Sequence, residues 1–205
     1  MYLKIVIKNL ISSRIKFTHS EILFMKKLLL IFFIFISLNG FASSPILDDG
    51  LVKPMPVVDY VDLERFMGDW YVIATIPTFL EKDAFNPVET YQLSSDGSIA
   101  TTFTFNKGGL NGPEKIYRPR GFIEDKRTNA IWGMQFIWPI RADYRIVYLD
   151  DDYQQTIIGR NNRDYVWIMA RTPTISQEDY SNLVILVGAL GYDLDALRKS
   201  THSSN

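Results

Sequence analysis

The 205-residue chain contains no cysteine and only two histidines. The first absence excludes disulfides, thiolate metal sites, thiol nucleophiles and Cys-linked lipid within this sequence. The second removes the commonest general base and the commonest metal ligand, because His19 and His202 stand near the two ends, outside any expected core. A hydrolase or a metalloenzyme fits such a composition poorly, and no cofactor is expected. Charge of one sign is lacking too: 22 Lys and Arg face 23 Asp and Glu. The balance is uneven along the chain. Residues 1–42 hold six basic residues and one acid, which leaves 16 basic and 22 acidic residues for 43–205. A mildly acidic domain has no electrostatic attraction to nucleic acid or to anionic headgroups.

Long apolar runs are equally scarce, with one exception. Lys26 and Lys27 precede an apolar stretch from Leu28 to Leu38, and Gly40 and Ala42 supply small residues before Ser43. This is the pattern of a secretory signal peptide. The stretch is about half of the roughly 20 residues that span a bilayer, so cleavage after Ala42 is expected over retention as an anchor. Translation is expected to start at Met25, with 1–24 an upstream extension and 25–42 the leader. Residues 43–57, with Pro45, Pro54 and Pro56, read as an extended lead-in, 58–199 as one domain and 200–205 as a frayed tail.

Aromatic residues are plentiful at 14%, and they favour pleated, half-buried surfaces. Short β-type runs recur at 69–76, 88–93, 99–106, 116–123, 130–137, 143–149, 154–159 and 164–170. Turn-forming segments such as SSDG at 94–97 and GRNNRD at 159–164 separate them. Eight short strands with hairpin-length links make an up-and-down antiparallel barrel or a sandwich. One helix follows: Ser176 is its N-cap, acids fill its first turn, and Tyr180, Leu183, Val184, Val187 and Leu190 recur at helical spacing.

Three segments, taken in order, carry a resemblance. VDLERFMGDWYVIA (61–74) has a short helical turn and then Gly68 and Trp70 at a strand entrance. YRIVYLDDDY (144–153) contains Asp150 and Tyr153. RDYVWIMARTPTIS (163–176) ends a strand at Arg171. Together they resemble the signatures of the lipocalin family, and within it the bacterial outer-membrane and apolipoprotein D-like members. The resemblance covers about 58–199. It implies an all-β fold, an eight-stranded antiparallel up-and-down barrel (a calyx) with a C-terminal α-helix. It also implies that Trp70 lies across the closed end with Arg171 packed over its indole as a cation–π plug, with the 61–66 turn as a lid outside. The bacterial relatives are usually lipidated on a Cys after the leader, which this sequence lacks. Export to the periplasm or the outer-membrane surface without Cys lipidation is therefore expected.

Within that frame, period-two alternation nominates an inner face. Trp132, Met134 and Phe136 form one set; Tyr165, Trp167 and Met169 another; Thr101, Phe103 and Phe105 a third; Tyr144, Ile146 and Tyr148 a fourth. Such a lining of rings and thioethers suits an alkyl chain or another apolar guest. Arg118, Arg120, Arg141 and Arg145 are candidate anion partners at the mouth. Phe79, Leu80 and Phe85 make the 77–87 loop unusually apolar, fit for a lid, a membrane-touching tip, a homodimer contact or a tuck into the rim. The expected function is an exported carrier of a small hydrophobic ligand, a fatty acid or lysophospholipid. The alternatives are an envelope-associated structural barrel without a diffusing ligand and, less favoured, a lipocalin-type isomerase or de-epoxidase.

Overall fold

The computed structural model describes residues 53–203; the expectations for the leader and for translation start lie outside those residues. Among the described residues, ten strands run β1 (Gly68–Ile76), β2 (Ala84–Leu93), β3 (Ile99–Lys107), β4 (Glu114–Tyr117), β5 (Arg120–Ile123), β6 (Ile131–Ile137), β7 (Ile140–Leu149), β8 (Gln155–Gly159), β9 (Val166–Ala170) and the short β10 (Arg198–Lys199). Each of β1, β2 and β3 pairs antiparallel with its successor, β5 to β9 continue the meander, and β9 returns to β1. Expected as one run at 116–123, β4 and β5 are two halves of one strand position, both paired to β3. Pro119, which has no N–H to give a ladder, stands between them. The result is a closed eight-stranded antiparallel barrel, and closure removes every exposed edge but the ends.

Alternation sorts the side chains into two cores. Val72, Tyr91, Ile99, Phe103, Phe105, Trp132, Met134, Tyr144, Ile146 and Met169 are buried in the barrel interior. The alternate residues Ile73, Ile157, Val166, Ile168 and Ala170 face outward and are buried by Leu183 and Val187 of helix α2 (Gln177–Ala189). Ser176 caps α2, its Oγ accepting from Asp179 N at 3.0 Å. The strands under α2 are thus apolar on both faces, and the helix is the outer wall that makes this tolerable.

Two expectations fail here. Tyr148 does not continue the inward set of Tyr144 and Ile146. The β7–β8 register shifts between Ile146 and Tyr148, and this bulge turns Tyr148 outward beside the helix core while Leu149 returns to the interior. Nor is the C-terminal segment frayed as far as Ser203. Arg198–Lys199 form β10 and pair with Thr75 and Ala74 of β1. Asn86 N donates to Thr201 O at 2.8 Å, and Ser203 N donates to Asn86 Oδ1 at 2.6 Å. His202 joins the fold with them, edge-on to Tyr71 at 5.7 Å with Nε2 2.9 Å from Val72 O.

Candidate functional site

The closed end of the barrel is built from the signature residues. Asp62 caps helix α1 (Leu63–Phe66), accepting from Glu64 N and Arg65 N. Phe66 enters the barrel and meets Trp70 at 5.0 Å between ring centroids. The Trp70 indole N–H donates to Phe66 O at 2.8 Å, and its ring is wholly buried. The Arg171 guanidinium lies 3.8 Å from the Trp70 ring centroid. The same group donates to four carbonyls: Asp69, Arg65, Phe66 and Tyr153. Gly68 has φ +95°, a backbone conformation that side chains with a Cβ rarely adopt, beside the Arg171 guanidinium. Asp150 accepts from Gln154 N and Gln155 N in the β7–β8 turn. Tyr153 accepts from Asp62 N at 2.9 Å and stacks under Arg65 at 4.0 Å. The five signature residues therefore join three separate segments into one plug.

Above the plug the barrel opens. A cleft of about 620 Å³, continuous with solvent, lies there. Five of the residues nominated from sequence line it: Phe103, Met134, Phe136, Tyr144 and Trp167. The other four stand elsewhere. Trp132 lies below the cleft, stacked on Tyr144 at 5.2 Å and donating from its indole to Asn129 O at 2.7 Å. Ile146 is in the closed-end core, where its carbonyl accepts from Val58 N at 3.1 Å. Phe105 is buried in the wall against Phe103 and Tyr117. Tyr165 precedes β9 and sits beside Arg160, 5.2 Å from the guanidinium to the ring centroid. Phe136 has the inward parity but is 53% exposed, because it has reached the rim.

The cleft floor holds a group that strand patterning did not nominate. Glu89 pairs across the sheet with Trp70 on one side and Phe103 on the other, so its side chain points inward directly above the plug. Its Oε2 accepts from the Tyr91 hydroxyl. The Tyr91 and Tyr144 hydroxyl oxygens are 2.7 Å apart. Tyr91 has one hydroxyl hydrogen and gives it to Glu89, so Tyr144 is the donor to Tyr91. Burial pushes the Glu89 carboxyl up to about 7, with nearby Glu81 adding to the rise and the Tyr91 hydrogen bond opposing it. Burial, and then the charge of Glu89, holds both phenols well above their ordinary value, as neutral donors.

At the mouth, the β1–β2 loop folds inward: Leu80 and Thr78 line the cleft. Glu81 fixes the loop, accepting from the Trp167 indole at 2.7 Å and from Thr78 N at 2.8 Å. None of the four nominated arginines lines the cleft. Arg120 pairs with Asp96, Arg145 with Asp143 at 2.9 Å, Arg141 covers Phe122 on the outer wall at 3.8 Å, and Arg118 is exposed. They alternate outward from inward neighbours such as Tyr144. The cation that does line the cleft is Arg160, on the β8–β9 loop. It pairs with Asp164 at 3.1 Å, while its buried Nε has no hydrogen-bond partner among the described residues.

Comparison with known proteins agrees with this geometry. The lipocalin-like domain family matches residues 61–202. The chain belongs to the lipocalin family. It is 36% identical over 166 residues to temperature-induced lipocalin-1 of Arabidopsis thaliana, covering 74% of this chain and 84% of that protein. It is 31% identical over 148 residues to outer membrane lipoprotein Blc of Citrobacter freundii, covering 71% and 81%. Among solved structures it is similar to insecticyanin from the tobacco hornworm Manduca sexta, with a TM-score of 0.59 at 16% identity over 74% of this chain and 86% of that one. That likeness concerns the fold alone. As in lipocalins generally, the cleft of this one is suited to a small hydrophobic guest.

Proposed function

We propose that this lipocalin is an exported, non-enzymatic carrier that takes an amphiphile of the fatty acid or lysophospholipid class into its barrel. The observation that carries this reading is the cleft itself. Its walls are Phe103, Met134, Trp167, Leu80 and Pro119, and its mouth presents a cation, Arg160, with an unused buried donor. An alkyl chain gains about 0.8 kcal/mol per buried methylene. A carboxylate or phosphate at the mouth would pair with the Arg160 guanidinium, and a small turn of that group would give its buried Nε an acceptor. After the cost of ordering the chain, a dissociation constant around micromolar is expected for C12–C18 amphiphiles, roughly −8 kcal/mol. Binding should quench Trp167. The variant Met134→Trp, which adds bulk to the cleft and leaves Trp70 and Arg171 alone, should weaken binding about tenfold or more without unfolding the barrel. Calorimetry on lipid-stripped protein that shows neither heat nor quench for any such amphiphile would replace this reading with that of a structural barrel.

A membrane contact fits the same site. The β6–β7 tip carries Phe136, Ile137, Trp138 and Ile140, all exposed, with Trp138 80% exposed. Phe136 belongs both to this tip and to the cleft wall, so a tip resting in a lipid surface would bring the cleft entrance to the lipid. Trp at such a place suits the interface between headgroups and chains. Relatives named as outer membrane lipoproteins support an envelope location. The expected result is protein in the envelope fraction beginning at Ser43, floating with phospholipid vesicles, and a Trp138→Ser variant that floats several-fold less. Equal flotation of the two, or a dimer that hides Trp138 in the absence of lipid, would remove the membrane contact.

A further inference from the structure

A tail-first alkyl chain meets an unsuitable floor in this barrel. Its methyl end would arrive at Glu89, whose Oε2 is engaged by Tyr91 and whose Oε1 accepts no hydrogen bond among the described residues. Burying a carboxyl oxygen under methylenes with no donor is costly, and the cost is greatest when the group is ionised. The hydroxyls of Tyr91 and Tyr144 cannot relieve it, because each hydrogen is already directed along the chain from Tyr144 to Tyr91 to Glu89. With the carboxyl ionised, the floor is therefore an acceptor awaiting a donor.

We infer that Glu89, with Tyr91 and Tyr144 behind it, forms a subsite for a hydrogen-bond donor at the inner end of the ligand, so that the preferred guest is an amphiphile polar at both ends. This inference rests on the carrier reading and narrows it. The outer end is an acid held by Arg160; the inner end is a hydroxyl that donates to Glu89 Oε1. The spacing suits a medium-length chain. Trp70 pairs with Glu89 and Thr75 pairs with Trp167, so floor and mouth are five residues apart along β1, about 16 Å of strand. The groups lining the cleft leave the role of acceptor to Glu89. β3 contributes the uncharged Phe103, β6 Met134 and Phe136, and β9 Trp167. Of the charged groups, Glu81 is bound to Trp167 and Thr78, Asp143 to Arg145 and Asn161 N, and Arg160 to Asp164.

The test compares dodecanoic acid with 12-hydroxydodecanoic acid on lipid-stripped protein by calorimetry. A purely apolar barrel favours dodecanoic acid, since the added hydroxyl loses water and gains nothing. With the subsite, 12-hydroxydodecanoic acid binds about tenfold tighter. Glu89→Gln, whose single amide oxygen is taken by Tyr91 and which turns an NH2 donor to the ligand, weakens the preference; Glu89→Leu reverses it. Tighter binding of dodecanoic acid, or equal binding, by the wild-type protein overturns the subsite and leaves the carrier reading standing. Binding of neither acid defeats the carrier reading and the subsite with it. The wild-type pair alone decides the matter if the leucine variant does not fold.

Discussion

Trp70→Ala is expected to lower the unfolding free energy by about 3–5 kcal/mol, the range for removing a wholly buried aromatic ring from a packed core. The ring is in contact with Phe66, whose own neighbours at 5.7 and 5.6 Å are Tyr91 and Trp132, so the cavity has rigid walls and little means of collapse. Arg171→Ala is expected to cost less, about 2–3 kcal/mol. Its guanidinium is only half-buried, and water can reach some of the carbonyls it leaves behind, but no single water replaces donors to Asp69, Arg65, Phe66 and Tyr153 together. The double variant should lose less than the sum, by about 1–2 kcal/mol, since the 3.8 Å cation–π contact is destroyed by either change. Urea denaturation of the four proteins measures the cycle. Strict additivity would mean that the stack contributes nothing beyond packing. Ligand affinity per folded molecule should stay near wild type in both single variants, because neither side chain lines the cleft.

That separation between plug and cleft explains what was legible in the sequence. Gly68, Trp70, Asp150, Tyr153 and Arg171 act through local geometry: a positive φ, a turn whose amides need an acceptor, a cation over a ring. Each such demand restricts residue type at a fixed place in the chain, and restricted residue types form a readable pattern. The N-cap of α2 at Ser176 was legible for the same reason. Inner-face parity needed only an unbroken strand, so it placed Phe103, Met134 and Tyr144 and then failed after Ile146, where a bulge adds a residue that no side chain announces. Depth along the barrel is not encoded in parity. Trp132 and Ile146 share the inward face with cleft residues and yet lie below the cleft, and Phe136 shares it and lies at the rim.

Glu89 was missed for a physical reason of another kind. A glutamate within a strand ordinarily marks the solvated face, and VETYQL reads that way unless Tyr91, two residues on, is taken as inward. Its register with Trp70 was the available signal: the cross-strand neighbour of a plug residue points into the barrel. Arg160 was hidden similarly, in GRNNRD, a polar turn whose every residue looks solvated. Both of these polar cleft residues thus sit where composition argues for water, and the closure of β9 onto β1 puts them around an apolar space.

The pH dependence of stability should expose Glu89 directly. Its carboxyl titrates near 4.5 when unperturbed and is pushed up to about 7 in the fold by burial. Below pH 4.5 both folded and unfolded states hold the proton, and the group costs nothing. Between about 4.5 and 7 the unfolded state has released its proton while the folded state keeps it. Stability must then fall as pH rises, and above about 7 the full penalty is present. At 1.36 kcal/mol per pH unit the loss is about 3 kcal/mol. The groups around the carboxyl favour this sign: the hydrogen bond from neutral Tyr91 only partly offsets the burial, and Glu81 from the β1–β2 loop raises it further. Glu89→Gln keeps the shape and an acceptor for Tyr91 while removing the charge. Lipid-stripped Glu89→Gln is therefore expected to match the wild-type protein near pH 4.5 and to exceed it by about 3 kcal/mol at pH 8, measured by urea denaturation across that range. Parallel curves for the two proteins would mean that the carboxyl is solvated in the fold, and the floor would then be water-filled. A 12-hydroxydodecanoic acid complex should narrow the gap at pH 8, because a hydroxyl donated to the ionised carboxyl supplies the partner whose absence makes it costly.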